Sequence, residues 1–275
     1  MSDYPQADQL EVPVEHPPRR IVSLVPSMTE SLFDMRLGDR LVGRTKYCVH
    51  PAGQVERVPV FGGTKNPDVA GIIALEPDLV IVNQEENRQQ DAEALQAAGI
   101  TVWVTFPKTV PDVFNLLWAV MNACEETTMV PRVRLIEQIY DRVLGISTQR
   151  EDNPTRVFAP IWHKPLMSFN ADTFMYNLLK DCGAVNVFGD REDRYPKVTL
   201  AEVEAAQPDV ILLPSEPYEF AEQDIPQFAA LDTPASKDQR IHLVDGSLLA
   251  WHGTRIAHTF EQIPPLLFPK GEEKD

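Results

Sequence analysis

Residues 70–82 read AGIIALEPDLVIV and residues 201–213 read AEVEAAQPDVILL. Each is a short helix-compatible stretch, then a Pro-Asp pair, then a run of apolar residues without alternation. A helix that stops ahead of a proline and gives way to such a run predicts a helix leading into a strand covered on both faces. Pro77-Asp78 and Pro208-Asp209 stand 131 positions apart (208 − 77). Upstream of each lies another apolar run, RRIVSLVP at 19–26 and TRVFAPIW at 155–162, with Ile21 and Val157 offset by 136 (157 − 21). Two nearly equal intervals indicate two related α/β lobes.

The remaining pattern fills in the same plan. Ser27 and Thr29 precede ESLFDMRL and are expected to cap that helix, with Gly38 near its end. LVGRT then returns as a strand, and ENRQQDAEALQAAGI is an amphipathic helix closed by Gly99 before the strand TVWVT. In the second half ADTFMYNLLKDCGA is a helix ending near Gly183. Helices alternating with strands predict parallel sheets. Between the halves, TTMVPRVRLIEQIYDRVLGIS carries a stripe at Val133, Ile136, Ile139, Tyr140 and Val143. From Met129 to Ser147 it predicts a strut roughly 28 Å long at ~1.5 Å per residue. The expected organisation is a tail at 1–18, a lobe at 19–127, the connecting helix at 128–150, a second lobe at 151–269 and a tail at 270–275.

Composition narrows the function. A formal net charge of −16 disfavours nucleic acid and anionic membrane surfaces as partners. No run approaches the ~18 apolar residues of a membrane span, and MSDYPQADQLEVPVEHPP has neither a basic start nor an apolar stretch, so membrane insertion is not expected and the chain as written reads as cytoplasmic. Three distant cysteines, Cys48, Cys124 and Cys182, argue against a disulfide framework.

Taken in order, RRIVSLVPSMTESLF, LVGRTKYCVHP, NPDVAGIIALEPDLVIV, AAGITVWV, LLKDCGAVNVF, YPKVTLAEVEAAQPDVILL and WHGTR resemble the helical-backbone (class III) substrate-binding proteins of ABC importers. The likeness is greatest to the vitamin B12- and ferric-siderophore-binding branch. It implies two Rossmann-like α/β lobes with parallel sheets, joined by a single long backbone helix, with a ligand cleft between the lobes. It also implies a monomer that captures cobalamin, haem, a ferric siderophore or a metal ion, needs no cofactor, and delivers its ligand to an importer permease. Family members are usually periplasmic or held at the cell surface.

Ligands of open α/β sheets bind beyond the carboxyl ends of the strands. That rule points to the two Trp-His pairs, Trp162-His163 and Trp251-His252, and to Tyr47, His50, Phe61, Asn83 and Tyr195. A flat macrocycle is gripped by aromatic faces and oriented by a few polar groups, so Tyr47, Phe61, Trp162, Tyr195, Trp251 and Arg255 form the expected ligand set. The resemblance places family aromatics at Tyr47, Phe61 and Tyr195 and beside Trp162, while Asn83 stands where the family has a second amino-lobe Trp. Trp103 and Trp118, inside a strand and a helix, read as core.

Two other readings remain. His50, His163 and His252, with Cys48, would offer nitrogen and sulfur ligands to a metal, as in a cytosolic haem or metal-ion carrier. Cys48 with His50 or His252 would be a nucleophile and base for a hydrolase, although no orienting acid, GxSxG or phosphate-cradling loop accompanies them. The plainer reading of Cys48 is a small buried hydrophobe. His16, His242 and His258 read as structural or solvent-exposed. The family docks on its importer through one carboxylate per lobe; here Glu202 belongs to a capping box starting at Thr199, Gly71 stands opposite it, and Asp68 is the nearest amino-lobe acid.

Overall fold

A computed structural model describes residues 11–150 and 152–268. Most of the expected amino-terminal tail and the whole carboxyl-terminal one therefore lie outside the described residues. The chain divides into two compact units. The first comprises the described residues up to Pro107, Pro111–Ile136 and His252–Thr254; the second comprises Lys108–Val110, Glu137–Trp251 and the described residues from Arg255 onward.

In the first unit β1 (Ile21–Ser23), β2 (Leu41–Arg44), β3 (Leu79–Asn83) and β4 (Val102–Thr105) form a parallel sheet in the order β2-β1-β3-β4. In the second, β5 (Thr155–Phe158) is followed by a two-stranded antiparallel ribbon of β6 (Trp162–His163) and β7 (Leu166–Met167). Then β8 (Ala184–Asn186), β9 (Val210–Pro214) and β10 (Ile241–Val244) complete a parallel sheet in the order β10-β9-β5-β8. The two apolar runs that opened the reading are β3 and β9, and every residue of both is buried, as strands covered on both faces require.

The duplication extends to individual hydrogen bonds. Asp78 Oδ2 accepts from the amides of Arg19 and Arg20 at 2.7 and 2.8 Å, and Arg20 reaches back to the Leu75 carbonyl at 2.6 Å. Asp209 Oδ2 accepts from the amide of Arg156 at 2.9 Å, and Arg156 reaches the Ala206 carbonyl at 2.8 Å. Ahead of each Pro-Asp pair, Glu76 and Gln207 both turn the chain with φ of 47°. The register agrees as well: Ile21 faces Leu79 and Val157 faces Val210. The preceding helices start alike, with Asp68 capping the Gly71 amide of Val69–Ala74 and Thr199 capping the Glu202 amide of Leu200–Ala206.

Each unit has its own core. Val22, Leu24, Ile72, Val80, Val82, Leu95, Val102 and Val104 pack in the first. Phe158, Phe188, Val203, Ile211, Leu213, Phe220 and Phe228 pack in the second.

Two expectations change. Pro26 is the first residue of the helix Pro26–Asp34, because a proline fits the first turn, so Ser27 and Thr29 lie inside the helix and do not cap it. The strand expected over 155–162 stops at Phe158. Ala159, Pro160 and Ile161 separate it from β6, so Trp162 begins a hairpin. The predicted strut is a helix, Val130–Thr148, and the division between units falls within it at Ile136 and Glu137, but also at 107–111 and 251–255. The segment after Trp251 belongs with the first unit, where Ser31 Oγ accepts from the Thr254 amide at 3.0 Å.

If the Asp209 clasp sets the β5–β9 register, Asp209→Ala should lower stability by about 1–2 kcal/mol, the value of a charge-assisted hydrogen bond, in urea unfolding followed by circular dichroism.

Candidate functional site

In the first unit the loop after β2 carries Thr45 to His50. Tyr47 is 51% exposed, lies against Gly63 and has the Lys46 ammonium 5.0 Å from its ring centre. Phe61 is half-buried and packs on the core over Gly43 and Gly71, so its ring is shared between core and surface. Asn83 ends β3 and holds the following turn, its Oδ1 accepting from the amides of Glu85 and Glu86 at 2.8 and 3.2 Å. Asn87, which no sequence signal singled out, ties these loops together by donating to the carbonyls of Leu24 and Thr64.

Cys48 is fully buried. Its sulfur accepts from Thr29 Oγ1 at 3.1 Å and meets Thr45 Oγ1 at 3.2 Å. Burial pushes the thiol pKa up, the two hydroxyls offsetting part of the rise. A nucleophile needs an accessible thiolate, and this environment favours the enclosed thiol. All three cysteines are free and buried.

The second unit gathers aromatic side chains beyond the carboxyl ends of β5 and β9. Trp162 is 43% exposed, and its indole N–H donates to the Lys164 carbonyl at 3.2 Å. Its ring meets Tyr218 edge-on, with centroids 6.0 Å apart, and Tyr218 stands on Phe220 at 4.7 Å. His163 braces this group. Its Nδ1 is 3.1 Å from Tyr218 Oη and its Nε2 is 3.3 Å from Gln227 Oε1, with Asp224 Oδ1 at 3.8 Å from Nδ1. Both ring nitrogens are thus engaged within the unit. Tyr195, half-buried, has the Arg194 guanidinium 6.0 Å from its ring centre, and Arg194 pairs with Asp172 at 2.8 Å.

Beyond β9 and β10 lies a second group. Trp251 is half-buried, with the Arg255 guanidinium 5.4 Å from its ring centre, and Arg255 Nη1 is 4.0 Å from Asp245 Oδ2. Glu216 completes it. Burial pushes the Glu216 carboxyl pKa up; the Trp251 indole hydrogen bond opposes this, Asp245 raises it further and Arg255 lowers it. Glu216 and Tyr218 follow the apolar run of β9, so the strand-end signal that could have found them is the end of that run.

The two Trp-His pairs are not alike. Trp251 belongs with the second unit and His252 with the first. His252 is 4% exposed, its Nε2 lies 3.3 Å from Ser27 Oγ, and burial lowers its pKa to about 4. Among the described residues, no group of three or more His, Cys, Asp or Glu could hold a metal ion. Trp103 is wholly buried, as read, and Trp118 lies under the Arg134 guanidinium at 4.7 Å. Glu202 accepts from the Thr199 hydroxyl at 2.9 Å and from the Thr199 amide and Arg191, each at 2.8 Å, and these bonds hold its carboxyl below the usual range.

The model of the periplasmic binding protein family matches residues 21–245, a span that takes in both sheets and their strand-end loops. The chain belongs to this family. It is similar to the vitamin B12-binding protein of Vibrio cholerae serotype O1, 29% identical over 200 residues, which are 71% of this chain and 70% of that protein. The vitamin B12-binding protein of Yersinia pestis is 27% identical over 197 residues, covering 70% and 69%. Among solved structures, the periplasmic vitamin B12 binding protein BtuF of Vibrio cholerae superposes with a TM-score of 0.73 at 23% identity, covering 92% of this chain and 97% of that one. The periplasmic heme binding protein HutB of Vibrio cholerae gives 0.74 at 19%, covering 91% and 99%. These structures share the fold. The cytoplasmic expectation finds no support here, since the family and the two solved structures are periplasmic by name, and among the described residues no helix is long and apolar enough to cross a membrane.

A buried neutral His makes acid unfavourable. The unfolded chain protonates His252 below its ordinary pKa near 6.5, whereas the folded chain resists until about 4, so stability should fall as pH drops through that window, by at most about 3 kcal/mol. Melting temperatures of wild type and His252→Gln between neutral and acidic pH should converge as acid is added.

Proposed function

We propose that this protein captures a flat metal chelate, cobalamin-like in shape, outside the cytoplasm and delivers it to an ABC importer. The observation that carries the reading is Trp162, a large apolar ring left 43% exposed at a strand end while the Lys164 carbonyl and Tyr218, itself braced by Phe220 and His163, hold it in place. A fold that anchors an indole so firmly and leaves its face in water has prepared a binding surface. Tyr47 is an exposed ring at the corresponding edge of the other sheet. Vitamin B12 is what the two named sequence relatives bind by name, and heme is what HutB binds by name.

Capture, not turnover, suits the chemistry of the site. The enclosed thiol of Cys48 and the engaged nitrogens of His163 supply neither a nucleophile nor a free base. Aromatic contact supplies affinity, and the polar groups at the strand ends supply orientation.

Absorbance titrations with hydroxocobalamin, ferric haem and a ferric siderophore test the reading; saturable binding of at least one is expected, and failure of all three removes it. Trp162→Ala should weaken binding by about 1–3 kcal/mol, since the ring's exposed face is covered only by ligand, while changing the melting temperature far less. Equal losses of stability and affinity would assign Trp162 to the core.

A further inference from the structure

Burying a carboxylate is unfavourable unless hydrogen bonds and opposite charge surround it. Glu216 is compensated only in part: the Trp251 indole hydrogen-bonds its carboxylate, but burial outweighs that bond. Its Oε1 is enclosed and, among the described residues, has no hydrogen-bond partner. Asp245 acts against its ionised form, and Arg255 compensates only in part. The loop does not need this charge to stay in place. A Cβ on Gly246 would come within 2.6 Å of the Glu216 amide nitrogen, so the two chain segments meet directly there, and Ser215 Oγ accepts from the Gly246 amide at 3.0 Å. A buried acid whose own surroundings compensate its charge only in part has the pattern of a functional group.

Its neighbours show what kind. The Asp245 side chain is 50% exposed, whereas that of Arg255 is 9% exposed. Asp245 Oδ1 accepts from the Ser247 amide at 2.9 Å, which fixes the carboxylate at the end of β10. A ligand arriving at Trp251 therefore meets carboxylate charge first, and the guanidinium is already engaged behind it.

We propose that Glu216 and Asp245 are specificity-determining residues, which make this face accept chelates whose rim carries neutral carboxamides, as a corrinoid's does, and reject those whose rim carries carboxylates, as haem's does. The inference rests on the chelate-capture reading. Carboxamide N–H groups donate to carboxylate oxygens, whereas a propionate placed there faces like charge; discrimination then comes from repulsion of the wrong ligand as much as from attraction of the right one.

The test is a pair of affinities, for hydroxocobalamin and ferric haem, measured at neutral pH on wild type, Glu216→Gln, Asp245→Asn and the double variant. Wild type should prefer cobalamin, and in the double variant that preference should fall by about tenfold or more, chiefly through tighter haem binding. Melting curves establish that each variant folds. Because burial raises the Glu216 pKa, its ionised form is the one the fold disfavours; Glu216→Gln should melt above wild type at neutral pH, and the gap should close on acidification. A preference for haem in wild type, or the same preference in every folded variant, overturns the charge assignment and leaves chelate capture standing. Binding of neither ligand, nor of a ferric siderophore, overturns both.

Discussion

The register between the first and third strands of each sheet is the constraint on which the rest depends. In a parallel sheet a slip of one residue would turn every inward side chain outward. Here an aspartate just ahead of β3 and another just ahead of β9 each grip the backbone beside a neighbouring strand, while an arginine at that strand's start grips the end of the preceding helix. Strand, helix and neighbouring strand are thereby locked at one edge. With the amino ends fixed, the positions of the loops at the carboxyl ends follow from strand length, and those loops carry Tyr47, Trp162, Glu216, Tyr218 and Trp251.

Much of this was legible in the sequence because it is local or repeated. The all-apolar strands β3 and β9 betray burial on both faces, and the spacing of the Pro-Asp pairs betrays duplication. The Thr199 capping box is a four-residue signal, and it stands as read. Trp103 and Cys48 declared themselves core by their settings. Pro26 misled only about where its helix begins.

What stayed hidden depends on contacts between segments far apart in the chain. Nothing in WHGTR says that Trp251 and His252, covalent neighbours, belong to different units. The engagement of both His163 nitrogens by Tyr218 and Gln227 needs residues more than fifty positions away. Glu216 looked like one acid among 41 Asp and Glu residues until its surroundings were known. A candidate histidine is therefore easy to name from sequence and hard to assign, since the partners that decide its role come from elsewhere.

The paired clasps also separate what can change from what cannot. Because they act at the amino ends of the strands and the loop side chains project from the carboxyl ends, selection can rewrite one edge of each sheet without disturbing the other. Two copies of one topology, each with its own clasp, then give a lineage two surfaces to diversify independently. The inheritance of the fold and the evolution of its recognition are carried by different residues of the same strands.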